Sequence, residues 1–159
     1  MQEHLIIDGN NALYAIPTLA KSMERDRQVA RADLLRMLEP LQARESCLLT
    51  VVFDGRGGKT SLSKHQGNSE YSIIYSSSSQ GADGVIERML MAAEFPQHIT
   101  VGTNDNLIRN CAYTHGAAVI RVEELLKKLD NAISITRNLR GVTKKNQQKF
   151  ENRIPFPDE

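Results

Sequence analysis

Tryptophan is absent, and tyrosine and phenylalanine bring the aromatic share of the 159-residue chain to only 5%. Any base-stacking readout would therefore have to rely on Tyr14, Tyr71, Tyr75 or Phe150. A dominant charge is lacking too. With 20 Lys and Arg against 19 Asp and Glu, the formal net charge is +1, so any hold on a polyanion has to come from local patches. There are only two cysteines, Cys47 and Cys111, in apolar contexts and without metal-type spacing; they predict buried free thiols in a reducing compartment. No apolar run reaches the roughly 20 residues of a membrane span, and Met1 to Asp8 carries no basic leader. A cytoplasmic protein without export or anchoring signals is expected.

What is present is an alternation of strand-like and helix-like stretches. His4 to Ile7 is a short apolar run stopped by the turn-rich Asp8-Gly9-Asn10-Asn11, and Cys47 to Phe53 is a β-rich run stopped by Asp54-Gly55. Between them, apolar positions from Val29 to Leu41 predict an amphipathic helix with Pro40 near its last turn or at a kink. Residues 55 to 70 read as a mobile surface loop. Strands are then expected at Tyr71–Tyr75, His98–Thr103 and Ala117–Arg121, with helices starting near Asp83 and Asp105 and from Val122 to about Leu139. The pattern predicts an α/β fold, a three-layer α/β/α sandwich around a mostly parallel sheet of about five strands. Composition divides the chain into a domain over 1–130 and a basic helical extension or tail over 131–159.

In such a sheet ligands bind outside the carboxyl ends of the strands. Asp8, Asp54 and Asp105 all fall at such ends, Asp83 opens the helix after the third strand, and Glu87 follows one turn later. Like charges gathered on one rim repel unless a cation sits among them, which favours a metal site over surface decoration. Competing motifs fail on detail. Gly58-Lys59-Thr60 lacks the earlier glycine of a phosphate loop, where Phe53 stands, and no G-x-G-x-x-G follows the first strand. A phospho-acceptor receiver is excluded because Asp8 has no acidic neighbour and Asp54 follows the second strand. His4, His65, His98 and His115 have no ligand spacing.

Ile6-Ile7-Asp8-Gly9-Asn10-Asn11 resembles the opening D-G-x-N element of NYN-domain proteins in the PIN-like nuclease superfamily. Val51-Val52-Phe53-Asp54, Gly81-Ala82-Asp83 with Ile86-Glu87, and Val101-Gly102-Thr103-Asn104-Asp105 resemble its later elements in order. The similarity is greatest to the YacP-like branch and covers roughly residues 4 to 128. Where that branch usually has T-S-D-R, this chain has Thr103-Asn104-Asp105-Asn106, and a serine run replaces the usual G-E-T before Asp83.

The resemblance implies metal-dependent, endonucleolytic RNA cleavage. Asp8, Asp83 and Asp105 would be the catalytic acids holding Mg²⁺ or Mn²⁺, with Asp54 and Glu87 as further ligands and Asn11, Thr103 and Asn104 behind them. Activated water serves as nucleophile in such chemistry, so no protein nucleophile is needed. Arg56, Lys59 and Lys64, with Arg137, Arg140, Lys144 and Lys145 of the extension, would contact the RNA backbone. The RNA would be met free or presented by a larger assembly such as a ribosome. A non-catalytic RNA-binding adaptor with a degenerate site is the alternative, and a phosphatase or phosphotransferase using the same rim is a third.

Overall fold

The computed structural model describes residues 2–133. Six strands, β1 (His4–Asp8), β2 (Leu48–Phe53), β3 (Ser61–Lys64), β4 (Tyr71–Tyr75), β5 (Ile99–Gly102) and β6 (Ala118–Ile120), form one sheet. Their order is β3-β4-β2-β1-β5-β6, parallel throughout except for β3, which runs antiparallel to β4. The helices are α1 (Gly9–Ala15), α2 (Pro17–Arg25), α3 (Arg27–Glu45), α4 (Gly81–Ala92), α5 (Asn106–Thr114) and α6, described over 122–133.

Strand side chains alternate between faces, and this sorts the apolar residues into two cores. Leu5, Ile7, Leu49, Val51 and Phe53 pack with Leu13, Leu34, Leu38, Leu41 and Leu125 from α1, α3 and α6. On the opposite face Ile6, Val52 and Val101 meet Val85, Ile86, Leu90, Ile108 and Ala112 from α4 and α5. The result is the α/β/α sandwich that the alternation of segments predicts. Because both faces of β1 and β2 are covered, their sequences read as unbroken apolar runs.

Four details differ from the sequence reading. The sheet has six strands because 61–64, expected within a mobile loop, is a fully exposed strand pairing Ser61 to Tyr75 and Lys64 to Ser72. An edge strand with no buried face carries no hydrophobic period to detect. Gly9 to Asn11, turn-like in sequence, is the first turn of α1, made possible by Asp8: its carboxylate accepts from the Asn11 N–H at 3.3 Å and caps the helix. Third, α3 continues past Pro40 to Glu45 and ends on Ser46, whose φ of 50° turns the chain. Fourth, Cys47 is buried but Cys111 is only partly so. Helix α6 crosses residue 130, and its expected continuation to Leu139 lies outside the described residues.

No helix among the described residues is long and apolar enough to cross a membrane.

Candidate functional site

The chain leaves β1 toward β2 on one side and returns from β4 to β5 on the other, so the helices diverge at the carboxyl end of β1. This is the place where doubly wound sheets open a crevice. Asp8 stands there, 4% exposed, between the apolar end of β1 and the start of α1. One carboxylate oxygen accepts from the Asn11 N–H and the other from the Thr103 hydroxyl at 3.0 Å. Burial, followed by weaker repulsion from Asp83 and Asp105, pushes its pKa from 3.8 up to about 6. The hydrogen bonds from Asn11 and Thr103 pull the other way and lose.

Asp83 projects from the first turn of α4, exposed and without a hydrogen bond or ion pair among the described residues. Its carboxyl is raised by partial burial and then by Asp105 and Asp54. Asp105 caps α5 by accepting from the Leu107 N–H at 2.9 Å, while its own N–H donates to the Thr103 hydroxyl oxygen at 3.0 Å. Thr103 thus ties two of the acids together. Asp83 links the four aspartates named by the sequence: its charge and that of Asp105 bear on Asp8, while Asp105 and Asp54 bear on Asp83. Glu87 is different: its charge acts on the Cys111 thiol, raising it after burial has done so first.

Asn11 and Asn104 brace the rim instead of contacting its carboxylates by their side chains. The Asn11 side-chain carbonyl accepts from the Asn104 N–H at 2.8 Å, a backbone partner in place of the expected carboxylate or water. Asn104 then bridges to α6: its amide donates to Glu123 at 3.0 Å, and its carbonyl accepts from the Val122 N–H at 2.8 Å. The exposed Glu123 carboxyl is held below its ordinary pKa by its own backbone N–H and by Asn104. Neither this acid nor Asn10, whose side chain accepts from the Asp54 N–H at 2.8 Å, stands out in sequence as a site residue.

Asp54 has a structural task as well. Gln80, at the cap position of α4, makes no side-chain cap, and the Asp54 carboxylate accepts from the Ala82 N–H at 2.7 Å in its place. From Asp54 the rim passes into a cleft of about 610 Å³ that also exposes Arg27, Arg31, Arg56, Lys59 and Tyr75. The loop forming its outer wall is pinned. Gly55 N–H donates to the Ser76 hydroxyl at 3.2 Å, Ser78 N–H to the Gly57 carbonyl at 2.9 Å and Ser77 N–H to the Thr60 hydroxyl at 3.1 Å. The serine run before Asp83 is therefore the partner of the glycine-rich loop. A Cβ on Gly55 would fall 2.2 Å from the Ser76 carbonyl, so the close approach requires glycine.

The remaining expected contacts divide. Arg56 and Lys59 line the cleft; Lys64 donates to Ser72 at 2.9 Å on the edge strand and does not line it. Arg137, Arg140, Lys144 and Lys145 lie outside the described residues. Tyr71 is buried and donates to the Leu35 carbonyl at 2.7 Å, which removes it as a stacking platform, while Tyr14 is exposed.

Among the described residues no group of three or more His, Cys, Asp or Glu side chains converges closely enough to form a ready-made metal site. The donor chemistry still suits a hard divalent ion, because Mg²⁺ is usually held by one or two carboxylates with water and substrate phosphate completing its shell. Asp8 and Asp83, both pushed up in pKa by burial and like charge, are the carboxylates a cation would relieve most.

Comparison with known proteins agrees with this architecture. The Bacillus subtilis (strain 168) protein YacP, described as uncharacterized, is 27% identical over 157 residues, covering 98% of this chain and 90% of that protein. Two crystal structures of Rae1 (YacP) from Bacillus subtilis share the fold. The W164L mutant superposes with a TM-score of 0.74 at 23% identity, over 90% of this chain and 85% of that one. The other gives 0.73 at 24% identity, over 96% and 88%. The model of the YacP-like NYN domain matches residues 5–156, and this chain belongs to that family.

Proposed function

We propose that the protein is a metal-dependent endoribonuclease that hydrolyses RNA phosphodiester bonds at the rim formed by Asp8, Asp83 and Asp105. The observation that carries this reading is the state of Asp8: a buried carboxylate at the carboxyl end of the central strand, raised to about 6 with two further aspartates bearing on it. An acid so placed is costly for the fold, and a divalent cation lowers that cost. Family membership supports a nuclease-type hydrolase, since NYN domains lie within the PIN-like nuclease superfamily.

Each acid would have its own task. Asp8, fixed by Thr103 and the α1 cap, is the rigid member, and Asp83, unbonded and exposed, is free to meet an ion or an incoming phosphate. Asp105 has one oxygen engaged at the α5 cap and offers the other. A bound Mg²⁺ or Mn²⁺ would supply an activated water and neutralise charge on the phosphate as the bond breaks. Asp54 and Glu87 stand at the margins, Asp54 beside the cationic cleft that would carry the RNA backbone.

The absence of a ready-made ligand trio among the described residues favours a second reading, an RNA-binding adaptor of the same fold. Cleavage of a mixed structured and single-stranded RNA pool with Mg²⁺, Mn²⁺ or EDTA separates the two. The nuclease reading expects metal-dependent cutting that Asp83→Asn abolishes without loss of fold; no cutting by folded protein, with RNA binding retained, supports the adaptor.

A further inference from the structure

The cleft beside Asp54 holds an arrangement that the acidic rim does not explain. Arg31, on α3, lies with its guanidinium carbon 5.6 Å from the ring centres of both Phe53 and Tyr75, which themselves stack at 5.4 Å. Its Nε is buried and has no hydrogen-bond partner, and no carboxylate pairs with the side chain among the described residues. Stacking constrains a guanidinium by its face and leaves its in-plane N–H donors to be satisfied by something else. A buried donor without an acceptor is costly, and the terminal N–H groups of the same guanidinium, which make no hydrogen bond among the described residues, can take an anion with several acceptor oxygens.

Three more cations share the space. Arg27 reaches it from the start of α3, Arg56 and Lys59 from the pinned loop, against the single carboxylate of Asp54, one of whose oxygens the Ala82 N–H already occupies. The volume, about 610 Å³, exceeds what a lone phosphate needs and suits a nucleotide unit. Half-buried Tyr75 supplies an aromatic wall.

We infer that this cleft is an anchoring subsite for one nucleotide of an RNA strand, its backbone phosphate held by Arg27, Arg31, Arg56 and Lys59. The assignment rests on the ribonuclease reading for the choice of RNA, and it fixes where the strand lies: from the cleft, past Asp54, toward Asp83 and Asp8. Arg31 is its centre, since it lies over two aromatic rings and has a buried donor without a partner.

Binding is measured in EDTA, so that cleavage plays no part, by titrating the full chain with an RNA hexamer lacking terminal phosphates, with adenosine 5′-monophosphate and with adenosine. Hexamer and nucleotide binding without adenosine binding is expected. Arg31→Gln should weaken the hexamer at least tenfold. Because Arg31 also packs on Phe53, the exposed pair Arg27→Ala with Lys59→Ala provides a second route. It should act in the same direction and make the salt dependence shallower, by about 0.7 for each backbone phosphate that is no longer neutralised. Unchanged hexamer affinity in both folded variants overturns the subsite, as does binding of the nucleotide alone. Cleavage assayed separately with Asp83→Asn tests the nuclease reading, so either can fail without the other.

Discussion

The acidic rim and the cationic cleft meet at Asp54, yet they are built on opposite terms. Along the rim, Asp8, Asp54 and Asp105 each accept a hydrogen bond from the N–H of a helix's first turns, so the fold itself fixes where negative charge stands. In the cleft, by contrast, Arg31 lies over two aromatic rings and keeps its Nε without a hydrogen-bond partner. Fixed acids with little freedom suit an ion or a phosphorus centre that demands defined distances. Cations with spare donors suit a ligand whose shape varies along its length.

Removing Asp83, the rim aspartate that no backbone group engages among the described residues, breaks the contrast most sharply. Asp83→Asn is expected to lower RNA cleavage at least 100-fold, about 2.7 kcal/mol in transition-state terms, while leaving the melting temperature within a few degrees. Cleavage within a few-fold of wild type would remove Asp83 from the chemistry.

Asp8→Asn should lower cleavage too, and in addition stabilise the fold. A carboxyl raised from 3.8 to about 6 binds its proton better in the folded state. Its contribution to stability is full below pH 3.8 and is lost as pH rises through 6. The asparagine variant, with no charge to bury, is therefore expected to be more stable than wild type by on the order of 2 kcal/mol at pH 8, with the gap closing by pH 4. Denaturant titrations at the two pH values check this, and a gap independent of pH would contradict it. Adding Mg²⁺ at pH 8 should narrow the gap by stabilising the wild type alone.

Thr103→Val removes the hydroxyl that both donates to Asp8 and accepts from the Asp105 N–H, at a cost of about 1–2 kcal/mol by denaturation. Lys64→Ala is the smallest case: tied to Ser72 at the sheet edge, it should alter stability by less than about 0.5 kcal/mol and RNA affinity by less than twofold. A larger loss of affinity would extend the RNA path beyond the cleft.

Much of this frame is readable without coordinates. Strands β1, β2 and β4 are apolar runs ended by Asp-Gly or serine, and the acids follow from their place at strand ends, because burial on both faces imprints itself on every residue. What escapes is what depends on partners far away in sequence. β3 carries its only apolar side chain, Leu62, into solvent. Helix α1 begins with Gly9, Asn10 and Asn11, poor helix formers that Asp8 rescues by capping. A Cβ on Gly9 would lie 2.6 Å from the Phe53 ring, a constraint set 44 residues away by the same strand that places Asp54. Arg31 reads in sequence as one more charge on an amphipathic helix; only the rings of Phe53 and Tyr75 beneath it make it distinctive. The basic positions beyond residue 133 fall outside the described residues.

The hydrogen bond from Thr103 to Asp8 spans 95 residues of chain. During synthesis Asp8 emerges long before the residue that fixes it, and β5, which must pair beside β1 to bring Thr103 into place, is the fifth of the six strands among the described residues. An incomplete chain would therefore carry Asp8 without an assembled rim. Whatever chemistry the rim performs waits until β5 has paired beside β1.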